Sequence, residues 1–359
     1  MFYKYEFIKH QKFRELHFHF LYFLRKIKNV KSNSSFVPKK YFHASFLNND
    51  GKIAPSGVQN KSLTDAFKSF FTVFRALDRK NKDEFYDLVL YSQKLKIILE
   101  DNSQTIANKL HIDYLNSILN DTVVLKKLME SLWSNLKTNS WDIDLHYKKF
   151  YEKLPESKMC PFCALQNLID SELGREDYDH LLFKAKYPLT SVCDNNIAPT
   201  CSECNRRFKK VVDVLFNDTE RRKFRYPFVV KKSFEVQNLV ITLDGSAHPD
   251  LELDNKGEWV INFVPEDDFN KSWFLTYDIK IRYESCVRNG YKKWIKELIR
   301  AARINENNIN TNSLKTYINK YKENYKDLYA EYPIKLAYYN YIEKNMTTVL
   351  HEYMERIAI

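Results

Sequence analysis

The sequence predicts an α+β protein that is mostly helical, with a small cysteine-bracketed core between a helical N-terminal region and a mixed β/helical C-terminal region. Three observations support this. Long stretches before residue 155 and after residue 277 have apolar residues at spacings of three and four. Short β-type runs lie between residues 228 and 264. Two Cys-x-x-Cys pairs, Cys160/Cys163 and Cys201/Cys204, enclose the stretch between them.

Composition limits the class of protein. The chain has 359 residues, of which 44% are hydrophobic, so it can bury a sizeable core and is expected to form two or three domains. Six cysteines, four of them in close pairs, favour a reducing compartment over a disulfide framework. The net charge of +11 favours polyanionic partners, although many basic proteins bind no polyanion. We therefore expect a cytoplasmic protein.

The first segment, residues 1–61, is basic and rich in aromatic residues. Residues 1–40 contain ten Lys and Arg against two acidic residues. Basic and aromatic residues in alternation suit an arm that contacts nucleic acid, and an amphipathic helix on a partner or membrane surface fits equally well. The apolar run His17–Leu24 is too short to span a bilayer, and no cleavage-site pattern follows it. We expect neither a signal peptide nor a transmembrane span.

The second segment, residues 62–154, is expected to form a helical domain. Ser62 and Asp65 resemble a capping box that opens a helix to Leu77, and further helical runs cover 84–100, 103–119 and 122–136. Nothing in this segment has a catalytic pattern. It could serve as scaffold, as a DNA clamp or as a partner surface.

The third segment, residues 155–225, contains both cysteine pairs. Two residues between cysteines let a tight turn direct both sulfurs at one ion, so Cys160, Cys163, Cys201 and Cys204 are expected to bind one structural Zn²⁺. Reduced core thiols are the less favoured alternative. Cys193 could replace one ligand but lacks a paired cysteine, and Cys286 is expected to be a small buried hydrophobe.

Between and after the pairs, the sequence predicts a strand, a loop and a helix. Alternation around Asp177–Leu182 indicates a short strand, and a polar loop follows to Asn196. From Asn205 to Phe216 the apolar residues recur at helical spacing. The order is a cysteine turn, a strand, a loop, a second cysteine turn and a helix.

These residues resemble the HNH, or ββα-metal, endonucleases in their zinc-stapled form. The resemblance rests on Asp179-His180 at a strand, the run Asn196-Ile-Ala-Pro-Thr-Cys201-Ser-Glu-Cys204-Asn205, and the basic residues of the next helix. It covers about 55 residues and extends to neither flank. Where the family often has Gly soon after the helix Lys, this chain has Phe208, Lys209 and Lys210.

The resemblance implies a metal-dependent hydrolase of DNA phosphodiester bonds. His180 matches the general base and Asp179 the acidic metal ligand beside it. Asn196 matches the middle asparagine, which would orient Nε2 of His180 toward the attacking water, and Asn205 matches the final ligand. Oxygen ligands such as Asp179 and Asn205 suit Mg²⁺ or Mn²⁺, whereas zinc would stay on sulfur. A capping role for Asn205 is an alternative, and Asp177 is either an accessory carboxylate or a solvated one.

Basic residues beside this core are expected to contact the phosphate backbone, most readily that of double-stranded DNA. They are Arg206, Arg207, Lys209 and Lys210. A solvated helix face would have the same composition. The fourth segment, residues 226–359, is predicted to contain a small sheet followed by long helices, with His248 in a structural turn.

Two other functions remain open from the sequence. The first is a zinc-stabilised nucleic-acid-binding module or subunit without hydrolysis. The second is an effector of bacterial anti-phage defence or restriction, held inactive until a partner ATPase or sensor signals. The long flanks without chemical motifs favour a partner, and the chain has no P-loop of its own.

Overall fold

The computed structural model describes residues 2–55, 60–103, 105–229, 234–236, 239–249, 257–305, 311–324 and 330–345. Within them the chain is mostly helical with several small sheets, so the predicted α+β class is confirmed. Buried hydrophobic side chains form one connected cluster that draws on all four predicted segments. No helix among these residues is long and apolar enough to cross a bilayer.

The N-terminal segment is part of the core rather than an arm. Strand β1 (Tyr3–Glu6) pairs in parallel with β6 (Phe228–Val229) and antiparallel with β7 (Phe234–Val236). Helix α1 (Gln11–Ile27) begins after His10, whose ring accepts a bond from the Phe13 amide. Its apolar stripe is buried against the chain itself, so the expectation that this stripe lies on a partner or membrane surface is wrong.

The predicted helical segment forms helices with more interruptions than expected. After the short α2 (Pro38–Tyr41), they are α3 (Lys61–Ala76), α4 (Arg79–Ser92), α5 (Leu95–Glu100), α6 (Ile112–Leu119), α7 (Val124–Leu136) and α8 (Ile143–Lys153). Helix α3 is capped by Asn60, whose side chain accepts from the Leu63 amide, and not by Ser62. Asn60 also donates to Asn135 on α7, which holds the starting end of α3 against that helix.

The cysteine-bracketed segment contains one small hairpin. Strands β2 (Tyr178–His180) and β3 (Ile197–Pro199) are antiparallel, with Asp179 opposite Ala198. A helical turn, Glu203–Lys209, follows the second cysteine pair. The predicted helix to Phe216 is too long, because Lys210 has a positive φ of 44° and ends the helix there.

The C-terminal region is divided between small hairpins and long helices. After β4 (Phe216–Asn217) and β5 (Glu220–Arg221), strands β8 (Val240–Thr242) and β9 (Asn262–Val264) form a separate hairpin. The predicted single sheet is therefore wrong, because β6 and β7 pair with β1. The described helices are α9 (Asp268–Tyr277), α10 (Ile279–Asn305), α11 (Thr311–Asn324) and α12 (Tyr332–Lys344). The predicted continuation beyond residue 345 lies outside the described residues.

Candidate functional site

The four paired cysteines converge at one buried point. Their sulfur atoms all lie within 4.8 Å of one another. Cys160 Sγ is 4.0 Å from Cys204 Sγ, and Cys163 Sγ is 3.8 Å from Cys201 Sγ. A tetrahedral zinc ion with Zn–S bonds of about 2.3 Å holds its sulfurs roughly 3.8 Å apart. The cluster therefore has the dimensions of a zinc site with four cysteine ligands, and we call it the four-cysteine cluster.

Local backbone geometry directs the sulfurs inward. Ala164 adopts the left-handed conformation, with φ of 54°, directly after the first pair. The Leu165 amide then donates to Cys163 Sγ at 3.4 Å, and the Cys201 amide donates to Cys160 Sγ at 3.5 Å. Amide donors of this kind stabilise thiolate charge around a metal.

Helices α9 and α10 cover the cluster from the far side. Trp273 donates to the Phe162 carbonyl and Tyr283 to the Cys163 carbonyl, each at 2.7 Å. Arg282 Nη1 lies 3.3 Å from Cys204 Sγ, where a guanidinium offsets thiolate charge. The position of Arg282 could not be predicted from the sequence, because no local pattern links α10 to cysteines so much earlier in the chain.

His180 is the last residue of β2, and its side chain is buried. Its Nε2 is 2.8 Å from the Ser191 carbonyl, so this nitrogen carries the proton and donates it. The ring packs edge-on against Trp133 at 4.4 Å between centroids. Burial, together with the nearby Lys184 and Lys209, lowers the pKa of His180 to about 3, against the opposing effect of its hydrogen bond to Ser191. The nitrogen left as acceptor is Nδ1, which corrects the expectation that Nε2 faces water.

Asp179 faces the opposite side of β2, as consecutive strand residues do. Its Oδ1 accepts from Lys209 Nζ at 2.7 Å, and its Oδ2 accepts from Tyr277 Oη at 3.2 Å. Burial raises the pKa of Asp179, while Lys209 and Tyr277 oppose that shift. The carboxylate is therefore enclosed between two protein donors.

Asn196 is fully buried and holds the loop that follows β2. Its amide nitrogen donates to the carbonyls of Leu182 and Thr190, both at 3.1 Å. Its oxygen accepts from the Leu182 amide at 2.8 Å. Because Ser191 directly follows Thr190, this network fixes the carbonyl that holds the His180 ring.

Asn205 lies inside the helical turn Glu203–Lys209, so the alternative role as its N-cap is wrong. Its side chain is half-buried and lines a cavity of about 300 Å³. Asp177, Asp179 and His180 line the same cavity, and so do three lysines that form no ion pair with an acidic residue among the described residues, namely Lys137, Lys184 and Lys210. Two of them, Lys137 and Lys184, lie over the Trp133 ring. Three cations around a buried histidine form a site suited to an anionic ligand.

The other basic residues differ sharply in exposure. Arg206 pairs with Asp177, and Arg207 lies 3.9 Å from Glu203, with both arginine side chains largely exposed. Lys209 is 1% exposed, with its ammonium also 2.6 Å from the His180 carbonyl. The prediction that Lys209 contacts a phosphate backbone is therefore wrong, since its buried ammonium faces Asp179 rather than the surface.

The expected Mg²⁺ or Mn²⁺ ligands do not fit a divalent ion in this arrangement. Both oxygens of Asp179 are engaged, and a +2 ion beside the Lys209 ammonium would be repelled in a medium of low polarity. Asn205 alone is a weak ligand.

The remaining candidates from the sequence have separate locations. Cys193 is buried but lies beside His17 and not in the four-cysteine cluster. Cys286 is half-buried, and His248 lies 3.1 Å from Tyr338 Oη in an aromatic setting. A structural role for His248 agrees with these contacts.

Comparison with protein-family models, with curated proteins and with solved structures finds no match for this chain.

Proposed function

We propose that this chain is a nuclease that hydrolyses phosphodiester bonds of DNA, with a histidine at the position of the HNH general base but without a divalent ion on Asp179. One observation carries the proposal: His180, held through Nε2, lines a cavity together with Asn205 and with Lys137, Lys184 and Lys210, which form no ion pair in the part of the chain that the structure describes. The four cysteines would hold a structural Zn²⁺ that fixes the β2–β3 hairpin and the following helical turn.

In this proposal the cavity binds a scissile phosphate. The three lysines attract the phosphate oxygens and offset the negative charge that grows during attack. Nδ1 of His180 accepts a proton from water, because Nε2 is committed to the Ser191 carbonyl. Asn196 positions the loop that supplies this carbonyl. Mg²⁺ takes no part in this mechanism, because the Asp179 carboxylate already accepts hydrogen bonds from Lys209 and Tyr277.

Supercoiled plasmid provides the test. Wild-type protein is expected to nick or linearise it, and His180→Ala is expected to leave it intact while binding it equally well. The assay is run with Mg²⁺, with Mn²⁺ and without added divalent ion, which separates metal-dependent cleavage from cleavage by this chain's own groups. Intact plasmid under all three conditions would contradict the proposal, provided that the protein is folded and zinc-loaded.

A second candidate is a zinc-stabilised nucleic-acid reader without hydrolysis. The closed Asp179–Lys209 pair and the low pKa of His180 favour it, since neither suits a metal-activated base. A reader would bind DNA in a salt-dependent manner and leave the plasmid uncut with either histidine or alanine at position 180.

A further inference from the structure

A second group of potential metal ligands lies away from the cysteine pairs. It consists of His17 on α1 and of Cys193 and Asp194 in the loop before β3. One ligand atom from each residue lies within 4.8 Å of the others, and all three residues are buried. Helix α1 and this loop are far apart in the sequence, so only the tertiary fold brings the group together.

Two of these side chains have buried polar atoms without a hydrogen-bond partner among the described residues. His17 Nε2 is one of them, although the residue is only 8% exposed. Asp194 Oδ2 is the other, but it is ion-paired with Arg14 Nε at 2.6 Å. Buried polar groups are rarely left unpaired, so a ligand bound to His17 Nε2 would give that nitrogen the partner it lacks among the described residues.

The protonation states also suit a metal ion. Burial lowers the pKa of His17 to about 4, so the imidazole is neutral near pH 7, the form that binds metals. Burial raises the pKa of the Cys193 thiol, which now donates to Asn195 Oδ1 at 2.7 Å. A thiol of this kind is a poor free nucleophile but loses its proton on binding a metal.

The group opens on one side to a cavity of about 940 Å³. His17, Cys193 and Asp194 form part of its wall, together with Arg14, Lys9 and other residues. Three protein ligands with an open fourth position facing a cavity are typical of reactive zinc sites, whereas structural sites are closed by four ligands.

We propose that His17 Nε2, Cys193 Sγ and the Asp194 carboxylate bind a second Zn²⁺, with a water molecule from the cavity as fourth ligand. Nitrogen, sulfur and oxygen ligands together favour zinc over Mg²⁺ or Ca²⁺. On binding, the Cys193 thiol releases its proton to solvent. Arg14, whose side chain is half-exposed, moves away from Asp194, because the ion replaces its charge.

The zinc content of the full chain tests the proposal. Wild-type protein purified with excess Zn²⁺ and then desalted is expected to contain one more zinc ion per chain than either Cys193→Ser or His17→Gln. The matched control is Cys286→Ser, a half-buried free cysteine outside both groups, which should keep the wild-type content. Equal zinc content in wild type and in folded Cys193→Ser would overturn the proposal.

Arg14→Gln gives an independent test that does not remove a ligand. Loss of the competing guanidinium should lower the Kd for this Zn²⁺ on the order of tenfold, measured by competition with a chromogenic chelator. If Arg14 is only the ion-pair partner of Asp194, the substitution leaves zinc affinity unchanged, and the proposal fails. This variant decides the question even if Cys193→Ser does not fold.

Discussion

The ammonium of Lys209 lies 2.7 Å from Asp179 Oδ1, and both side chains are buried. The sequence predicted the two residues for different tasks, one at a phosphate and one at a metal ion. In the fold the two residues form an ion pair with each other, and Tyr277 donates a second hydrogen bond to the Asp179 carboxylate. The chemistry of the cavity therefore depends on whether this pair stays closed.

The Lys209–Asp179 pair should be strongly coupled in stability. Lys209→Met leaves a buried carboxylate without its cation, so we expect the free energy of unfolding to fall by about 3–5 kcal/mol in urea denaturation. The double variant Asp179→Leu/Lys209→Met should recover much of that loss. Lys210→Met, at an exposed neighbouring lysine, is the control and should change stability by less than about 0.5 kcal/mol. Additive losses in the double variant would contradict this coupling.

Asn196 should be a second point of sensitivity. Asn196→Ala leaves the backbone groups of Leu182 and Thr190 without their buried partner, so we expect a loss of roughly 3 kcal/mol or more. The Leu182 amide should also lose protection in hydrogen exchange. Asn217→Ala serves as control, because Asn217 is exposed and its side chain bonds Arg222 at the surface. Similar small effects of both substitutions would contradict the proposed loop anchor.

Removal of zinc should disrupt the core and not only the cysteine turns. Trp273 and Tyr283 bond to carbonyls of the first turn, so displacement of the ion changes the packing of α9 and α10. We expect Cys160→Ser to lose the zinc ion of the four-cysteine cluster, shift the tryptophan fluorescence and lower Tm by more than about 10 °C. Cys286→Ser should match wild type in all three measurements. An unchanged Tm in a zinc-free Cys160→Ser protein would show that the ion is dispensable for folding.

Acid should destabilise the fold through His146. Its Nδ1 lies 2.7 Å from Tyr178 Oη and its Nε2 lies 3.2 Å from the Ile8 carbonyl. Burial lowers its pKa from 6.5 to about 4, so the unfolded chain binds this proton first as the pH falls. The contribution of neutral His146 to the free energy of unfolding is complete above pH 6.5 and is lost as the pH falls to 4. Over that range the free energy of unfolding changes by up to about 1.4 kcal/mol per pH unit.

His146→Gln removes this titration, so its unfolding free energy should depend less steeply on pH over that window. Urea denaturation at several pH values measures the difference. Parallel curves for the two proteins would place the acid sensitivity in other groups, such as the buried His17 and His19, whose pKa values are also lowered to about 4 by burial.

The cavity lysines should control affinity for nucleic acid. Lys137→Gln and Lys184→Gln each remove one potential phosphate contact, so the slope of log K against log salt should decrease by about 1 per substitution. Lys127→Gln is the matched control, since Lys127 lies on the same helix as the cavity residue Trp133 but lines a different groove. Equal effects of all three substitutions would indicate general charge attraction and no specific site.

Local patterns predicted much of the fold and part of the site. The spacing of Cys160 and Cys163 and of Cys201 and Cys204 predicted a cluster, because a tight turn alone directs each pair. Helical periodicity predicted α3 and α7, because the apolar face of a helix also depends only on residues close together in the sequence. The sequence did not predict that the helical turn ends at Lys209, since apolar residues continue at helical spacing beyond it. The backbone of Lys210 leaves the helical conformation, with a positive φ of 44°.

Long-range contacts could not be predicted in this way. Nothing near Lys209 in the sequence indicates that it turns back to Asp179, and nothing near His17 points to Cys193. Arg282 beside Cys204 is a third case. Each of these depends on the packing of the whole core, which a periodic pattern does not encode.

The parallel pairing of β1 with β6 has a consequence for biosynthesis. More than two hundred residues separate Tyr5 from Phe228, so the ribosome releases β1 long before its neighbours exist. The Phe2 amide also bonds the Pro161 carbonyl inside the first cysteine turn. During translation, therefore, the β2–β3 hairpin that bears His180 can form early. Pairing of β1 with β6 and β7 must wait until those strands are synthesised, and we expect it to be slow.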